Sequence, residues 1–463
     1  MVNHRHAQEE KNGKGTGRGS ASRASAAALL ALALALGGCS SSSDDDGANS
    51  GNAAADNAGT NTSSSADSSA GEGSSSPSDS GKNGAVGDSS GSDEPASDGD
   101  SGDLAAEPER GGGGRASQYD DAKPGQLTAG EWNDALAWKP WLRLMDGEEA
   151  RESQSFWSMF PERRLEVDVT AGGKPVADAE VTLTGRDGEI VWEARTNNKG
   201  VAYAYAGLYD EQDRQAEFGV AVEAGQRQKR YENVPVPRGE ALKVELGEAV
   251  QPPKALDLLL LVDTTGSMED ELNYLKTELK DVVRRVDRDN GQQLDIRVSA
   301  NFYRDHGDEY VVKPYPFTDD IDKTVGQLSE QKAGGGGDFP EAVDEALANA
   351  IGKHEWSGNA RARLLFLVMD APPHRDRKIV KRLQELTEDA AAEGIRIVPV
   401  ASSGVDAHTE YLMRFMASAT GGTYLFLTDH SGIGNDHMEP AVGEYEVKAL
   451  NDLLVEVINR YAS

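Results

Sequence analysis

Cysteine is nearly absent from this chain of 463 residues: Cys39 is the only one. An internal disulfide framework and a cysteine-rich zinc site are thereby excluded. Basic residues are scarce beside acidic ones, 47 against 79, and the formal net charge is −32. Nucleic-acid binders need a basic footprint, so nucleic acid is set aside as a partner. The charge favours solubility and repulsion from anionic surfaces instead. Signatures of catalysis are missing as well. No phosphate-binding loop ending in Gly-Lys-Ser or Gly-Lys-Thr occurs, and His354-Glu355-Trp356-Ser357-Gly358 begins like a zinc-protease helix without the second histidine. The chain does not read as an enzyme; an undetected hydrolase is the last of the alternatives. Long apolar runs are rare too. The one from Ala26 to Leu36 is too short to span a bilayer.

That short run has a context. Arg18 and Arg23 precede it, and Leu36-Gly37-Gly38-Cys39 closes it. A charged start, an apolar core and small residues before a cleavage point describe a secretory signal peptide over residues 1–39. From Ser40 the composition changes to Ser, Gly, Asp, Asn and Ala, with 15 acids and 3 basic residues up to Ser117. Such a segment buries too little apolar surface to offset its ordering entropy, so residues 40–118 are expected to be a disordered acidic tether. About 80 residues of random coil span on the order of 50 Å, more with self-repulsion.

Residues 119–162 carry Trp132, Trp138, Trp141 and Trp157. Thr128 with Glu131 has the form of a capping box, which predicts a short helix there. The tryptophans are expected to pack against a neighbour; stacking on carbohydrate is the lesser alternative. Residues 163–250 alternate in short strands, such as Leu165 to Val169, Ala179 to Leu183 and Phe218 to Val222, with turns at Gly172-Gly173, Asp187-Gly188 and Asn197 to Gly200. That pattern predicts a β-sandwich without catalytic groups.

From 254 to 463 apolar strands alternate with helical stripes, which predicts a doubly wound, mostly parallel α/β sheet covered on both faces. Two strands in it end on acids. Leu256 to Val262 stops at Asp263, and Leu364 to Met369 stops at Asp370. Asp263, Thr265 and Ser267 alternate in one tight turn, and the loop Gly334-Gly335-Gly336-Gly337 delivers Asp338 ahead of Phe339-Pro340-Glu341, where a helix is expected to open. Hard divalent cations want oxygen ligands of this kind, and α/β proteins bind ligands at the carboxyl ends of their strands. Plain capping is the other reading: Ser267 as an N-cap, Asp338 with Glu341 as a capping box. His306, His374, His430 and His437 lie in loops beside acids, where a second metal site competes with simple solvation.

Four motifs in order, Asp263 to Met268, Tyr303 to Asp305, Gly334 to Glu341 and Asp370 to Pro373, resemble the hemicentin-like branch of the von Willebrand factor A family. The resemblance runs roughly from Lys254 to Ser463. It implies a metal-ion-dependent adhesion site formed by Asp263, Thr265, Ser267, Asp338 and Asp370. The metal is expected to be Mg²⁺, with Mn²⁺ or Ca²⁺ as alternatives. Asp338 stands where many members have threonine. The resemblance further implies a protein partner held through an open position on the metal; a metal-stabilised scaffold without such contact is the alternative. Leu36-Gly37-Gly38-Cys39 resembles a bacterial lipoprotein box, implying a lipid on Cys39. Ser40 resembles the outer-membrane-sorted type. The expected place is therefore the cell envelope, with membrane contact through the lipid alone. Gly173 to Val181 with Thr196 to Gly200 resembles carboxypeptidase-regulatory-like or bacterial immunoglobulin-like modules, which are mostly spacers.

Overall fold

The computed structural model describes residues 122–337 and 339–463. The leader 1–39 and the segment 40–118, with Cys39, lie outside the described residues, and so does Asp338. The first described elements are β1 (Thr128–Trp132), α1 (Trp138–Met145) and α2 (Glu148–Trp157). Eight strands follow: β2 (Arg164–Ala171), β3 (Lys174–Pro175), β4 (Glu180–Thr184), β5 (Ile190–Arg195), β6 (Val201–Tyr205), β7 (Glu217–Ala224), β8 (Arg227–Pro235) and β9 (Leu242–Glu245). The α/β region opens with β10 (Ala255–Asp263), α3 (Glu269–Asn290), β11 (Asp295–Tyr303), β12 (Val312–Lys313), α4 (Ile321–Ser329) and α5 (Val343–Gly352). It closes with β13 (Ala360–Met369), α6 (Arg377–Ala392), β14 (Ile395–Ala401), α7 (Ala407–Thr420), β15 (Tyr424–Leu427), β16 (Lys448–Ala449) and α8 (Leu450–Ala462). None of the described helices is long and apolar enough to cross a membrane.

The large sheet has the order β12-β11-β10-β13-β14-β15-β1-β16. Its five central strands, β11, β10, β13, β14 and β15, are parallel. Every residue of β10 from Leu256 to Asp263 is buried, which is why the strand reads as an unbroken apolar run. Leu256, Leu258, Leu260 and Val262 pack with α3 and α8, while Leu259 and Leu261 pack with α5, α6 and α7. Full burial of each such side chain is worth about 1.5–3 kcal/mol. The sequence expectation of a doubly wound sheet holds.

The capping-box expectation at Thr128 and Glu131 does not. These residues are extended, and β1 pairs antiparallel with β15 on one side and β16 on the other. Glu131 faces Arg460 on α8 in a paired contact of 2.7 Å to Oε2 instead of closing a helix turn. Just before β1, the Glu278 carboxylate of α3 accepts from the backbone N–H groups of Gly125 (2.7 Å), Gln126 (2.9 Å) and Leu127 (3.1 Å). The tryptophans are core: Trp141 and Trp157 are fully buried, Trp141 stacking on Tyr411 and Trp157 donating to the His408 carbonyl at 2.8 Å.

The two smaller sheets, β3-β2-β6 with β9 on β2, and β5-β4-β7-β8, form the sandwich. It is not a free spacer in this structure. One apolar core runs from its interior into the α5–α7 face of the large sheet. Asp178 seals the contact. It sits in the left-handed region at φ 62 and accepts from both terminal nitrogens of Arg363 (2.8 and 3.0 Å) and from Ala360 N (3.0 Å). Both side chains of that ion pair are buried. Ala360 and Arg363 begin β13, so the sandwich is fastened at the amino ends of the parallel strands.

Candidate metal centre

The opposite, carboxyl ends of β10, β11 and β13 converge at the point where the chain order reverses on either side of β10. Asp263 closes β10 with its side chain fully buried. One carboxylate oxygen, Oδ1, accepts from Thr265 N (2.8 Å) and Thr265 Oγ1 (2.7 Å). Thr265 Oγ1 in turn lies 3.1 Å from Ser267 Oγ. The other oxygen, Oδ2, is buried without a hydrogen bond. The Tyr303 hydroxyl, at the end of β11, points at this carboxyl without making a well-formed bond. Thr264 anchors the turn, its hydroxyl donating to the Tyr303 carbonyl at 2.9 Å.

Ser267 is not a helix cap. α3 begins at Glu269, and no side chain caps it. The hydroxyl is therefore free to face the site: the Thr265 hydroxyl on one side and the Asp370 carboxyl on the other. Asp370 follows β13 directly, is 3 % exposed, and its Oδ1 also lacks a partner. Thus the structure brings Asp263, Thr265, Ser267 and Asp370 together, and the fifth sequence candidate, Asp338, lies outside the described residues.

The glycine loop lies directly on the turn. Gly266 N donates to Gly335 O (3.2 Å) and Gly334 N to Thr264 O (3.1 Å). Close approach needs glycine here: Gly335 has φ +81, and a Cβ on it would meet the Asp308 carboxylate at 2.3 Å. Asp308 holds the loop by accepting from Gly336 N at 2.8 Å. The helix expected at Asp338-Phe339-Pro340-Glu341 opens later, at Val343, with Ala342 before it and no side-chain cap. Glu341 therefore does not serve as a cap for α5. It is 3 % exposed, and its Oε2 has no partner.

Burial pushes Asp263 up from its ordinary 3.8 to about 6, against the pull of the Thr265 N–H and hydroxyl. Burial likewise holds Asp370 well above the ordinary range, with the charge of Asp263 adding to it. Glu341 is pushed up to about 9, first by burial and then by Asp263, Asp305, Asp370 and Asp308. Three buried acids thus face one another, each with an unsatisfied oxygen. A cation of hard, oxygen-seeking character fits that donor set. Sequence reasoning took Glu341 for half of a capping box, a role that the later start of α5 rules out. Two of the four loop histidines pair with acids: His374 Nε2 meets Asp305 at 2.6 Å, and His437 meets Asp429 at 2.8 Å through Nδ1 and Glu271 at 3.2 Å through Nε2. Among the described residues no group of three or more His, Cys, Asp or Glu side chains is arranged to hold a metal, so any site here must include hydroxyls.

Residues 257–432 match the family model of the von Willebrand factor A domain. The parallel sheet and its helices agree with that similarity to von Willebrand factor A domains. Over 190 residues the chain is 28 % identical to an ariadne-like RING finger protein of Acanthamoeba polyphaga mimivirus, a match covering 37 % of this chain. The chain spans only 18 % of that relative's length. It is also similar to the crystal structure of BatB from Bacteroides thetaiotaomicron, at 14 % identity and a TM-score of 0.30, covering 45 % of this chain and 98 % of that one.

Proposed function

We propose that the A-domain is a binding module that holds a divalent cation, Mg²⁺ first among the candidates, through Asp263, Thr265, Ser267 and Asp370, and presents it to a protein partner. The observation that carries this reading is the pair of orphaned oxygens, Asp263 Oδ2 and Asp370 Oδ1, buried on neighbouring strand ends. Buried acids without partners are strongly disfavoured unless a cation completes them. A bound cation would supply Lewis-acid attraction for one partner oxygen. Thr265 and Ser267 would complete its shell with neutral oxygens, and Thr264, Tyr303 and the glycine loop keep the turn in place.

The same reading takes the protein as a bacterial envelope lipoprotein, lipidated on Cys39, with the outer membrane as its site and adhesion or complex assembly as its role. The support is the Leu36-Gly37-Gly38-Cys39 ending after a short apolar run. Cys39→Ser is expected to block processing and acyl labelling; identical processing of variant and parent refutes the anchor. For the metal, the expected result is a melting temperature that rises with Mg²⁺ or Mn²⁺ and falls with chelator. A melt indifferent to both refutes it. A metal-stabilised scaffold is told apart by partner capture from envelope extracts: chelation under conditions where the fold persists releases a metal-held partner and leaves a scaffold contact intact.

A further inference from the structure

We propose that residues 429–440 form a pH-sensitive strap at the carboxyl end of the large sheet, clasped to α3 by the His437 imidazole in its charged form and released when that charge is lost. The strap lies in the connection from β15 to β16, and both of its ends are fixed. Thr428 N donates to Thr128 O at 2.9 Å, and Ala441 is held on α7, its N–H by Glu410 (3.1 Å) and its carbonyl by Arg414 (2.7 Å). Between these ends, among the described residues, no backbone hydrogen bond joins the strap to another element. Ile433 and Met438 pack on the apolar cores and stay partly exposed. The polar hold on α3 is His437, whose side chain is 5 % exposed. Its Nδ1 meets Asp429 of the strap at 2.8 Å, and its Nε2 lies 3.2 Å from Glu271 Oε1 in the first turn of α3. Gly434 rests on the same Glu271 carboxylate so closely that a Cβ there would collide with it.

A neutral imidazole has one N–H and one lone pair. Between two carboxylates it must turn the lone pair on one of them, whereas the imidazolium offers a proton to both. His437 Nε2 and Glu271 Oε2 are buried without a well-formed hydrogen bond, so water does not stand in for a lost proton there. Burial opposes the charge, and Glu271 and Asp429 outweigh it, which holds His437 above its ordinary 6.5. Glu271 from α3 and Asp429 from the strap are the charges that face the ring. On the strap itself, His430, Asp436 and Glu439 are exposed. From the loop after β14, Ser403 N donates to Glu271 Oε1 at 3.3 Å and brings no charge; on α7, Glu410 and Arg414 pair with each other at 3.3 Å. A histidine raised in this way stabilises closure fully below its ordinary value, and the contribution is lost as pH rises through the folded value. The strap is therefore closed in acid and released in alkali. Release bares a flank of the candidate site. The Glu271 charge bears on Asp370, Ser402 N donates to Met369 O at 3.0 Å, and Gly404 lies against the Asp370 carbonyl. None of this requires a bound cation.

Met438, next to His437 and half-buried, supplies the readout, because peroxide oxidises an accessible thioether and spares a buried one. The full chain is kept in chelator and treated with hydrogen peroxide from about pH 5.5 to about pH 9. Sulfoxide at Met438 is followed by mass spectrometry, with the fully buried Met413 as the reference. Oxidation of Met438 in the parent is expected to accelerate roughly tenfold across that range, relative to Met413, and to be fast throughout in His437→Gln. Asp429 is exposed, so Asp429→Asn tests the clasp without touching the core. Its transition is expected at lower pH than the parent's, and the imidazole resonances of His437 should move with it. A parent rate that ignores pH overturns the strap. A His437→Gln rate as slow as that of the parent in acid also overturns it, because Ile433 and Met438 would then hold the segment alone. A pH dependence that survives in His437→Gln assigns the opening to another group and refutes the clasp. If His437→Gln does not fold, Asp429→Asn decides: a transition at lower pH supports the clasp, and an unmoved one refutes it.

Discussion

Removing one charge at Asp263 is expected to stabilise the metal-free protein and abolish its response to metal. Asp263 is fully buried, and its folded-state value rises from 3.8 to about 6. The sign follows from proton linkage. Between pH 4 and 6 the folded protein keeps a proton that the unfolded chain has lost, so stability from this group falls as pH rises, and the loss is complete above pH 6. At about 1.4 kcal/mol per pH unit, that interval corresponds to roughly 3 kcal/mol. Asparagine keeps the Oδ1 acceptor for Thr265 N and Oγ1 and carries no charge. Its amide takes the place of the orphaned Oδ2, and an unmatched donor there costs about 1–3 kcal/mol. The orphaned Asp370 oxygen nearby offsets part of that. The net expectation for Asp263→Asn in chelator at pH 7.5 is a gain of about 1–2 kcal/mol, and a smaller gain at pH 5. In Mn²⁺ the order reverses: the parent rises and the variant stays. Thermal melts at both pH values, with chelator and with Mn²⁺, read all four conditions. A variant less stable than the parent in chelator at pH 7.5 refutes the reasoning, because the buried charge would then be stabilising without a metal.

Three further outcomes are expected. Asp178→Ala leaves Arg363 buried and unpaired, and denaturant unfolding should show a loss of about 3–5 kcal/mol, since breaking one side of a buried pair strands the other charge; a loss under 1 kcal/mol would mean that the sandwich is not fastened there. Glu278→Ala removes the acceptor of three backbone N–H groups before β1, and hydrogen exchange should accelerate across residues 125–132 ahead of the central strands, whereas uniform protection would mean that β1 is held by its ladder alone. Acetate, offered as a probe of the bound Mn²⁺, should displace coordinated water only weakly, since Asp305 and Asp308 repel it; ready displacement would mean that the charge around the metal does not discriminate.

Much of the α/β region was legible because its signals are local. β10 is buried along its length, so an unbroken apolar run marks it, and the acid that ends the run marks the site. The stripes of α3, α5, α6 and α8 follow from one apolar face each. What was not legible depends on residues far apart in the chain. Thr128 to Trp132 carries a helix-start signature and few β-branched residues, yet it is a strand because Leu425 and Leu427, some three hundred residues on, offer an open sheet edge. Asp178, at φ 62, meets Arg363 across the chain, and nothing in its local sequence marks that partner. Glu341 matched a capping pattern three residues after Asp338, and only the later start of α5 releases it from that role. Local propensity decided these readings, and tertiary pairing overrode it.

The two ends of the large sheet bear different burdens, and the chemistry of a partner follows from the difference. At the amino ends of β13 and β14 the cations are held: Arg363 pairs with Asp178, and Arg396 donates to the carbonyls of Gly394 (2.9 Å) and Arg195 (3.3 Å). The sandwich occupies that end. At the carboxyl ends the acids outnumber their cations. If Asp263 and Asp370 bind a divalent ion, as proposed above, they balance its charge, and Asp305 and Asp308 stand close by. Even at an effective dielectric constant of about 20, like charges a few ångström apart repel by several kcal/mol. An incoming carboxylate is disfavoured on those grounds, and a neutral amide or hydroxyl oxygen is not. A basic side chain beside that oxygen would meet Asp308 at the rim. On the proposed metal-binding reading, the partner surface that fits is neutral at the metal and basic around it, which also suits a chain whose net charge is −32.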